Sequence, residues 1–457
     1  MTTTQSAAEP VRTRWAAVAA VALGVVLASL DLTVVAVALP TLGADLGASP
    51  SLTQWVLLAY SLPMVAVSIP AGRWLDRAGP RASFGLATAG FGVTSVLVAV
   101  APTVEMLLVA RALQGVFAAL VSVVSMPVVS ESVRPEHRAR AMSIVLTLIP
   151  LSGAAGPAVG GALTDALGWR SVFAINVPIV VAAFWLGARA IPSTAAGRTG
   201  LPRPNAAMLR ETALLGTAVT ALFLGLDLLA EGPVGWATVA LPVVAFGLGW
   251  LWLRTREAAG VRELWPRLAA PLTALPLVTT GIAGLNFVVP YFLVDAHGAS
   301  PATVGLALLI PSVGMAVASP IAGVVADRTG TVGVSTAGVV VVLGGFVAAA
   351  LYADGEFWQL AVSLAAVGVG NGLFAGPNAA EVLARTPPEL RGTSSGMTSV
   401  ARTLGFSLGP ALGALVWTSV AGATVALAAV MTTLGVVTVL ALAACGWTWR
   451  GAPSRKH

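Results

Sequence analysis

Three charged side chains sit where charge is hardest to keep. Asp31, Arg111 and Arg402 each fall inside a long apolar run of the 457-residue chain. A carboxylate or guanidinium in a segment of membrane-spanning length is costly, so it faces a protein interior or a water-filled cavity and finds a partner there. An acid in such a place is stable when protonated or when paired with a cation. A carboxyl group that holds either a proton or something in its place is a minimal device for linking proton movement to another event. The other reading of Asp31 is a structural acid that caps or pairs within a helix bundle. Arg111 is its natural partner. At 1.5 Å per helical residue Asp31 lies ~13 Å from Pro40, and Arg111 ~12 Å from the start of its own run, so the two reach a similar depth. Their interaction, direct or through water, would tune the acid's hold on a proton; a permanent salt bridge is the alternative. Arg402 lies ~16 Å from Arg391, near the middle of a membrane, where it could bind an anionic ligand group or meet an acid. Glu381, near the end of its run, reads equally as a gate or a transport residue. Asp227 and Glu105 lie close to the opposite interface and read as snorkelled charges.

Nothing else points to covalent chemistry. The one cysteine, Cys445, lies in an apolar run, and His137, His297 and His457 lie outside such runs. There is therefore no intrachain disulfide, no HExxH motif and no Cys/His metal set. The sole lysine, Lys456, is in the C-terminal tail, so the phosphate-binding GxxxxGK[ST] loop cannot occur. No metal or cofactor is expected, and an ATP-driven pump on this chain alone is not expected either.

The elements that position these residues follow from composition. The chain is 57% hydrophobic and only 10% charged, and its mean hydropathy is +0.89. Ordinary usage would give about 115 charged residues at roughly 25% of the chain. There are 44. That excludes a water-soluble domain and a disordered chain and leaves one solvated by a lipid bilayer. Apolar runs of spanning length occur at 15–39, 52–71, 82–101, 104–128, 141–163, 172–190, 209–230, 235–253, 269–293, 302–325, 332–352, 357–383, 393–418 and 422–447. Fourteen spans in an all-α membrane protein place both termini on one side. Residues 1–13 are polar and read as a cytoplasmic tail rather than a cleaved leader.

Charge placement supports this. With the N-terminus inside, 22 of the 25 basic residues fall on the cytoplasmic side. Arg170 alone falls outside, and Arg111 and Arg402 fall within spans. The net charge of +6 thus records orientation, not affinity for nucleic acid. With 24 arginines to one lysine and abundant Ala, Gly and Val, a high-GC bacterial source and its cytoplasmic (inner) membrane are expected.

The chain also repeats. Gly72, Asp76, Arg77 and Gly79 recur as Gly323, Asp327, Arg328 and Gly330 at an offset of 251. Pro135, Glu136 and Arg138 recur as Pro388, Glu389 and Arg391, and Gly156, Pro157 and Gly160 as Gly409, Pro410 and Gly413, both at 253. Spans 1–6 therefore repeat as spans 9–14, with two inserted between. The expected organisation is a tail (1–13), a six-helix half (14–191), a cytoplasmic linker (192–208), two inserted helices (209–254), a second cytoplasmic linker (255–268), a second six-helix half (269–447) and a tail (448–457). Two parallel six-helix repeats are a transporter layout with its site at their interface.

Over nearly its whole length the chain resembles the major facilitator superfamily, and more narrowly its fourteen-spanner drug:proton antiporter branch. Leu30-Asp31-Leu32-Thr33 through Pro40 resembles that branch's first-helix signature, with Ala36 where Asn is usual. Gln54-Trp55 to Tyr60, Gly72 to Gly79, Arg111 to Gly115 and Trp169 to Pro178 resemble its other motifs. So does Ala401 to Gly405, with Thr403 in place of Gln. Gly153, Gly156, Pro157, Gly160 and Gly161 resemble the fifth-span motif of exporters. The resemblance implies that spans 1 and 4 of each half face a central cavity. It also implies proton coupling at Asp31, Arg111 and Glu381, and a cytoplasmic gate of Gly72, Asp76, Arg77, Arg81, Arg138, Asp327, Arg328 and Arg391. The span 5 glycines with Pro157 would form a hinge or seal against a helix of the other half, or simply a tight packing face.

Candidate substrate contacts are Asp31, Tyr60, Arg111, Gln114, Asn286, Phe287, Tyr291, Asn371, Phe374, Asn378, Arg402 and Phe406, with Phe117, Met126 and Met397 on the same spans. Amides in a bilayer need partners, so the asparagines are the stronger candidates. Such a pocket is mostly apolar with a few polar anchors, which suits small amphipathic organic molecules. The expectation is proton-coupled export of drugs or antibiotics by a monomer. An uptake symporter or uniporter is the alternative, and a non-transporting membrane sensor or scaffold the reading from another class. An enzyme is not expected.

Overall fold

A computed structural model describes residues 13–48, 50–193, 200–203, 206–231, 235–298 and 301–451. Residues 1–12 and 452–457 of the expected tails and linker residues 194–199 and 204–205 lie outside the described residues, as do the side chains of Gln54, Pro157 and Asp227. Among the described residues there are fifteen α-helices and no strands. They are α1 (Trp15–Leu46), α2 (Pro50–Leu75), α3 (Pro80–Ala99), α4 (Val104–Ser132), α5 (Arg138–Leu167), α6 (Ser171–Ala174), α7 (Asn176–Ala190), α8 (Ala206–Glu231), α9 (Trp236–Leu253), α10 (Ala259–His297), α11 (Pro301–Thr329), α12 (Thr331–Leu351), α13 (Phe357–Arg385), α14 (Arg391–Ser419) and α15 (Ala423–Gly451). Among the described residues, twelve helical segments are long and apolar enough to cross a membrane. With all backbone groups bonded within each helix, such segments tolerate lipid, and proline is absorbed inside α2, α4, α10, α11 and α13.

The sequence repeat is also a packing repeat. In the first set α1 packs on α5 and α7, α4 on α2 and α3, and α3 on α7. In the second, α10 packs on α14 and α15, α13 on α11 and α12, and α12 on α15. Each pair in one set has its counterpart in the other. The two sets meet through α2 with α14 and α5 with α11, and through α4 with α14 and α5 with α13, again in matched pairs. Equivalent 3-10 turns, Pro135–His137 and Pro388–Leu390, lead into α5 and α14.

Two differences from the sequence reading have physical causes. Helix α10 begins at Ala259, inside the stretch expected as linker 255–268. Val261, Leu264 and Leu268 bury against Trp252, Val382 and Met397, so the added turns carry an apolar face. The sixth run is broken at Ile175 into α6 and α7, which makes Asn176 the first residue of a helix.

Helices α8 and α9 pack on each other, and α8 lies against α2. A buried latch holds them there. Glu211 of α8 pairs with Arg73 of α2 and accepts a hydrogen bond from Trp252 Nε1 of α9 at 2.9 Å. Arg73 also reaches the carbonyl of Glu257, whose carboxylate meets Arg210 at 2.7 Å. Removing one partner of a buried pair leaves the other unsatisfied. Glu211→Ala is expected to lower unfolding stability by about 2 kcal/mol, less than a fully buried pair because Arg73 keeps some solvent. Denaturant unfolding of the purified protein checks this, and an unchanged midpoint would show the latch to be idle.

Candidate functional site

A polar cluster sits inside the first helix set. The carboxylate of Asp31 on α1 is ion-paired with Arg111 of α4, and both side chains are fully enclosed. Asp31 Oδ1 also accepts from Asn176 Nδ2 of α7 at 2.8 Å and from Gln114 Nε2 of α4 at 3.3 Å. Arg111 donates through Nε to the Val56 carbonyl at 3.1 Å and through Nη1 to Gln114 Oε1 at 2.8 Å. Ser95 of α3 accepts from Gln114 at 2.8 Å and from Asn176 at 3.3 Å. The Arg111 guanidinium lies 4.3 Å from the Tyr60 ring centroid and 5.6 Å from that of Phe173, and Tyr60 donates to the Ala28 carbonyl at 3.0 Å. Two carboxylate oxygens on α1 thus gather one cation and two amides from two other helices, α4 and α7. Arg111 Nη2 has no hydrogen-bond partner among the described residues. The charge of the pair is balanced, and one guanidinium donor remains unused among the described residues.

A separate cavity of about 1230 Å³ opens between the two helix sets. Its first wall is α1 and α5, through Ser29, Thr33, Leu146, Ile149, Gly153, Ala155 and Val159. The facing wall is α10, α11, α13 and α14. Helical spacing builds it: Leu275, Thr279, Ile282 and Asn286 share one face of α10; Asn371, Phe374, Ala375, Asn378 and Ala379 one face of α13; Thr398, Arg402 and Phe406 one face of α14. Its volume exceeds the roughly 300–1,000 Å³ usual for drug-sized ligands.

One end is shut. A Cβ on Gly72 would run into the carbonyl oxygen of Gly392, and one on Gly376 into Ser143. A Cβ on Gly396 would lie 2.5 Å from the Ser68 carbonyl oxygen, and one on Gly323 2.5 Å from Arg140 Cα. Only glycine allows these approaches between helix sets. Asp76, at the end of α2, accepts hydrogen bonds from the backbone of Gly392 and Thr393 and from the Thr393 hydroxyl. Asp327, at the equivalent place on α11, accepts from the backbone of Ala139 and Arg140. Each carboxylate therefore sits on the N-terminus of a helix in the other set, where the free N–H groups and dipole favour an anion. Arg138 and Arg391 are equivalent positions that face each other at this end. Burial first, and then the like charge of Arg391, hold the Arg138 guanidinium below its ordinary pKa. Arg81 Nε donates to the Ile191 carbonyl at 2.8 Å, whereas Arg77 and Arg328 are exposed. The far end of the first set is tied differently. Asp45 accepts from Trp169 Nε1 at 2.9 Å and pairs with Arg170 at 2.6 Å, and these two, Trp169 first, lower its pKa.

The predicted site residues divide accordingly. Asn286, Asn371, Phe374, Asn378, Arg402 and Phe406 line the cavity. Asp31, Tyr60, Arg111 and Gln114 do not: two residues along a helix is about 200° of rotation, so α1 turns Ser29 and Thr33 to the cavity and Asp31 away. Phe287 packs on the core of the second set, and Tyr291 is half exposed between Phe287 and Trp417, so neither reaches the cavity. Glu381 pairs with Arg385 at 2.5 Å and with the Thr331 hydroxyl, which joins α13 to the start of α12 rather than to either site. The span 5 glycines meet α1 of their own set, not the other half. A Cβ on Gly156 would strike the Thr33 hydroxyl, and one on Gly160 would lie 2.6 Å from the Val34 carbonyl oxygen. Gly405 and Gly409 close α14 on α10 in the same manner. Gly153 and Gly161 touch α1 only at 4.0 Å. Phe117 packs on Gly90, and Met126 lies 3.6 Å from Ser394 Oγ near the shut end. Met397 joins the cluster against α10. Sequence reasoning missed Asn176 as a partner of Asp31, and Ser95 as the hydroxyl that accepts from Asn176 and Gln114 beside it. Asn176 had a signal, an amide between apolar residues at the start of a span; Ser95 had none.

Known proteins share this architecture. The Major Facilitator Superfamily profile matches residues 21–255 and 272–457. The tetracenomycin C resistance and export protein of Streptomyces glaucescens is 30% identical over 410 residues, 87% of this chain and 75% of that one. The riboflavin transporter RibZ of Clostridioides difficile is 27% identical over 409 residues, 87% of each chain. The solved structure of the proton:xylose symporter XylE superposes with a TM-score of 0.67 at 16% identity, covering 96% of both chains, which speaks to the fold alone. An internally repeated, all-helical, multi-pass membrane protein with a central cavity matches these relatives along its length, and the chain belongs to the major facilitator superfamily of transporters.

Proposed function

We propose that this transporter exports amphipathic organic compounds, such as drugs or antibiotics, across the bacterial cytoplasmic membrane in exchange for protons, by alternating access. In this reading α5 and α8 are also spans, which makes fourteen, both termini are cytoplasmic, and the shut Asp76 end faces the cytoplasm. The observation that carries it is the double role of α1. One face of this helix lines the cavity through Ser29 and Thr33, and the opposite face holds the enclosed Asp31–Arg111 pair. Substrate need not touch the acid. A shift of α1 on Gly156 and Gly160, when substrate fills or leaves the cavity, loosens or restores the ion pair. A loosened Asp31 takes a proton, and a restored pair expels it. The mostly aliphatic walls with scattered amides and hydroxyls suit amphipathic solutes. A relative named for tetracenomycin C resistance and export supports the direction; another named as a riboflavin transporter leaves uptake as the competing direction.

Everted membrane vesicles test the reading. With an imposed inside-acid gradient, adding substrate outside is expected to dissipate the gradient in vesicles carrying the protein and not in empty ones. Further acidification on substrate addition would indicate symport and overturn the export reading.

A further inference from the structure

We infer that the cavity selects amphipathic organic anions, with the acidic group held by Arg402; this rests on reading the cavity as the substrate site. Three observations carry it. First, Arg402 is the one charged residue lining the cavity, and no Asp or Glu lines it among the described residues. Second, its guanidinium has no ion-pair or hydrogen-bond partner among the described residues, whereas the polar groups of Thr279, Thr398 and Asn378 on the same wall are engaged. Thr279 and Thr398 donate to carbonyls of their own helices at 2.9 and 2.8 Å, and Asn378 donates to the Pro271 carbonyl at 3.3 Å. Third, the charge is one-sided. The position equivalent to Arg402 in the first set, at offset 253, is Ile149, which lines the opposite wall.

An arginine in a low-dielectric cavity needs a counter-charge. The deep acid Asp31 cannot supply it, because it is turned away from the cavity and already paired with Arg111. The counter-charge must arrive with the ligand. A guanidinium fork matches a carboxylate in two parallel N–H···O bonds, which a neutral or cationic solute cannot offer. An aromatic cation would instead place like charges together in a mostly apolar cavity. The bound molecule is thereby oriented, acidic group toward α14 and apolar body toward the α1–α5 wall.

Binding to the purified protein in nanodiscs tests this without transport. The probes are 4,5-dihydroxyanthraquinone-2-carboxylate, its methyl ester and ethidium. The wild type is expected to bind the carboxylate at least tenfold more tightly than the ester or ethidium. Arg402→Gln should weaken carboxylate binding about tenfold to a hundredfold and leave ester binding within about twofold. Arg402→Lys, which keeps the charge without the fork, should fall between. Size-exclusion profiles identical to wild type guard against misfolding of the variants. Equal affinity for carboxylate and ester, no binding of the carboxylate above empty nanodiscs, or an equal loss for both probes in Arg402→Gln would each overturn the inference. Vesicles separate the two proposals. Carboxylate binding that needs Arg402 but moves no protons would sink the export reading alone. Proton-coupled movement of ethidium or the ester that ignores Arg402→Gln would sink the anion inference alone.

Discussion

Asp31→Asn is expected to abolish substrate-dependent proton movement in everted vesicles while the protein still reaches the membrane. The substitution preserves the shape and, with its amide oxygen at the Oδ1 position, the contacts that Asn176 and Gln114 make, so it removes the charge, the proton site and the acceptor that faces Arg111. Its consequence for Arg111 is larger. That guanidinium is fully enclosed, and its other polar partners, the Val56 carbonyl and Gln114, are neutral. Breaking a buried pair by removing one partner costs about 3–5 kcal/mol, because the remaining charge is uncompensated. The single variant should therefore lose both coupling and stability. The double variant Asp31→Asn/Arg111→Gln separates the two effects. With no net charge left in the cluster, stability should largely return, and proton movement should not. Two readings meet here, a coupling pair and a permanent structural salt bridge. If the double variant, refolded to wild-type stability, still releases protons on substrate addition, Asp31 is structural.

The same cluster shows how far the residues alone could be read. The pairing of Asp31 with Arg111 followed from depth, since both lie at a calculable rise from a helix end. Which way the pair faces did not follow. Depth is a one-dimensional quantity, and facing depends on the rotation of α1 about its axis, which is set by α5. There the glycine periodicity was visible, but its partner was not: small residues announce a close approach and do not name the helix that approaches. The repeat fared better because it carries its own check. Gly72 and Gly323, or Asp76 and Asp327, occupy matched places, and each carboxylate caps a helix of the opposite set. Glu381 misled because an acid near a span end looks free in sequence, whereas a residue one turn away, Arg385, takes it locally. Arg402 was legible as deep and not as unpartnered, since that depends on every neighbouring wall.

Gly72→Val should stop transport by preventing closure of the Asp76 end. The argument turns on what the added side chain would meet. Its Cβ would fall on the carbonyl oxygen of Gly392, which is backbone in a helix that Asp76 already holds by its first N–H groups. A side chain can rotate away from a clash and this neighbour cannot, so α2 and α14 must separate. Overpacking of this kind costs about 1–3 kcal/mol, and 3 kcal/mol added to one state shifts a two-state equilibrium on the order of 100-fold. Arg138 and Arg391 repel across the same end, and the two carboxylate caps must offset them. The direction of the shift is therefore specific: the cavity should open at the Asp76 end. A cysteine at Thr398, introduced in a Cys445→Ala background, reports this. In everted vesicles, under the proposed orientation, an impermeant thiol reagent should label that cysteine many-fold faster with Gly72→Val than without it. Gly249→Val on α9 is the control, because no atom lies within 4 Å of a Cβ at that glycine; transport and labelling should match the parent. Wild-type transport with unchanged labelling in Gly72→Val would mean that this approach of α2 to α14 is not the seal.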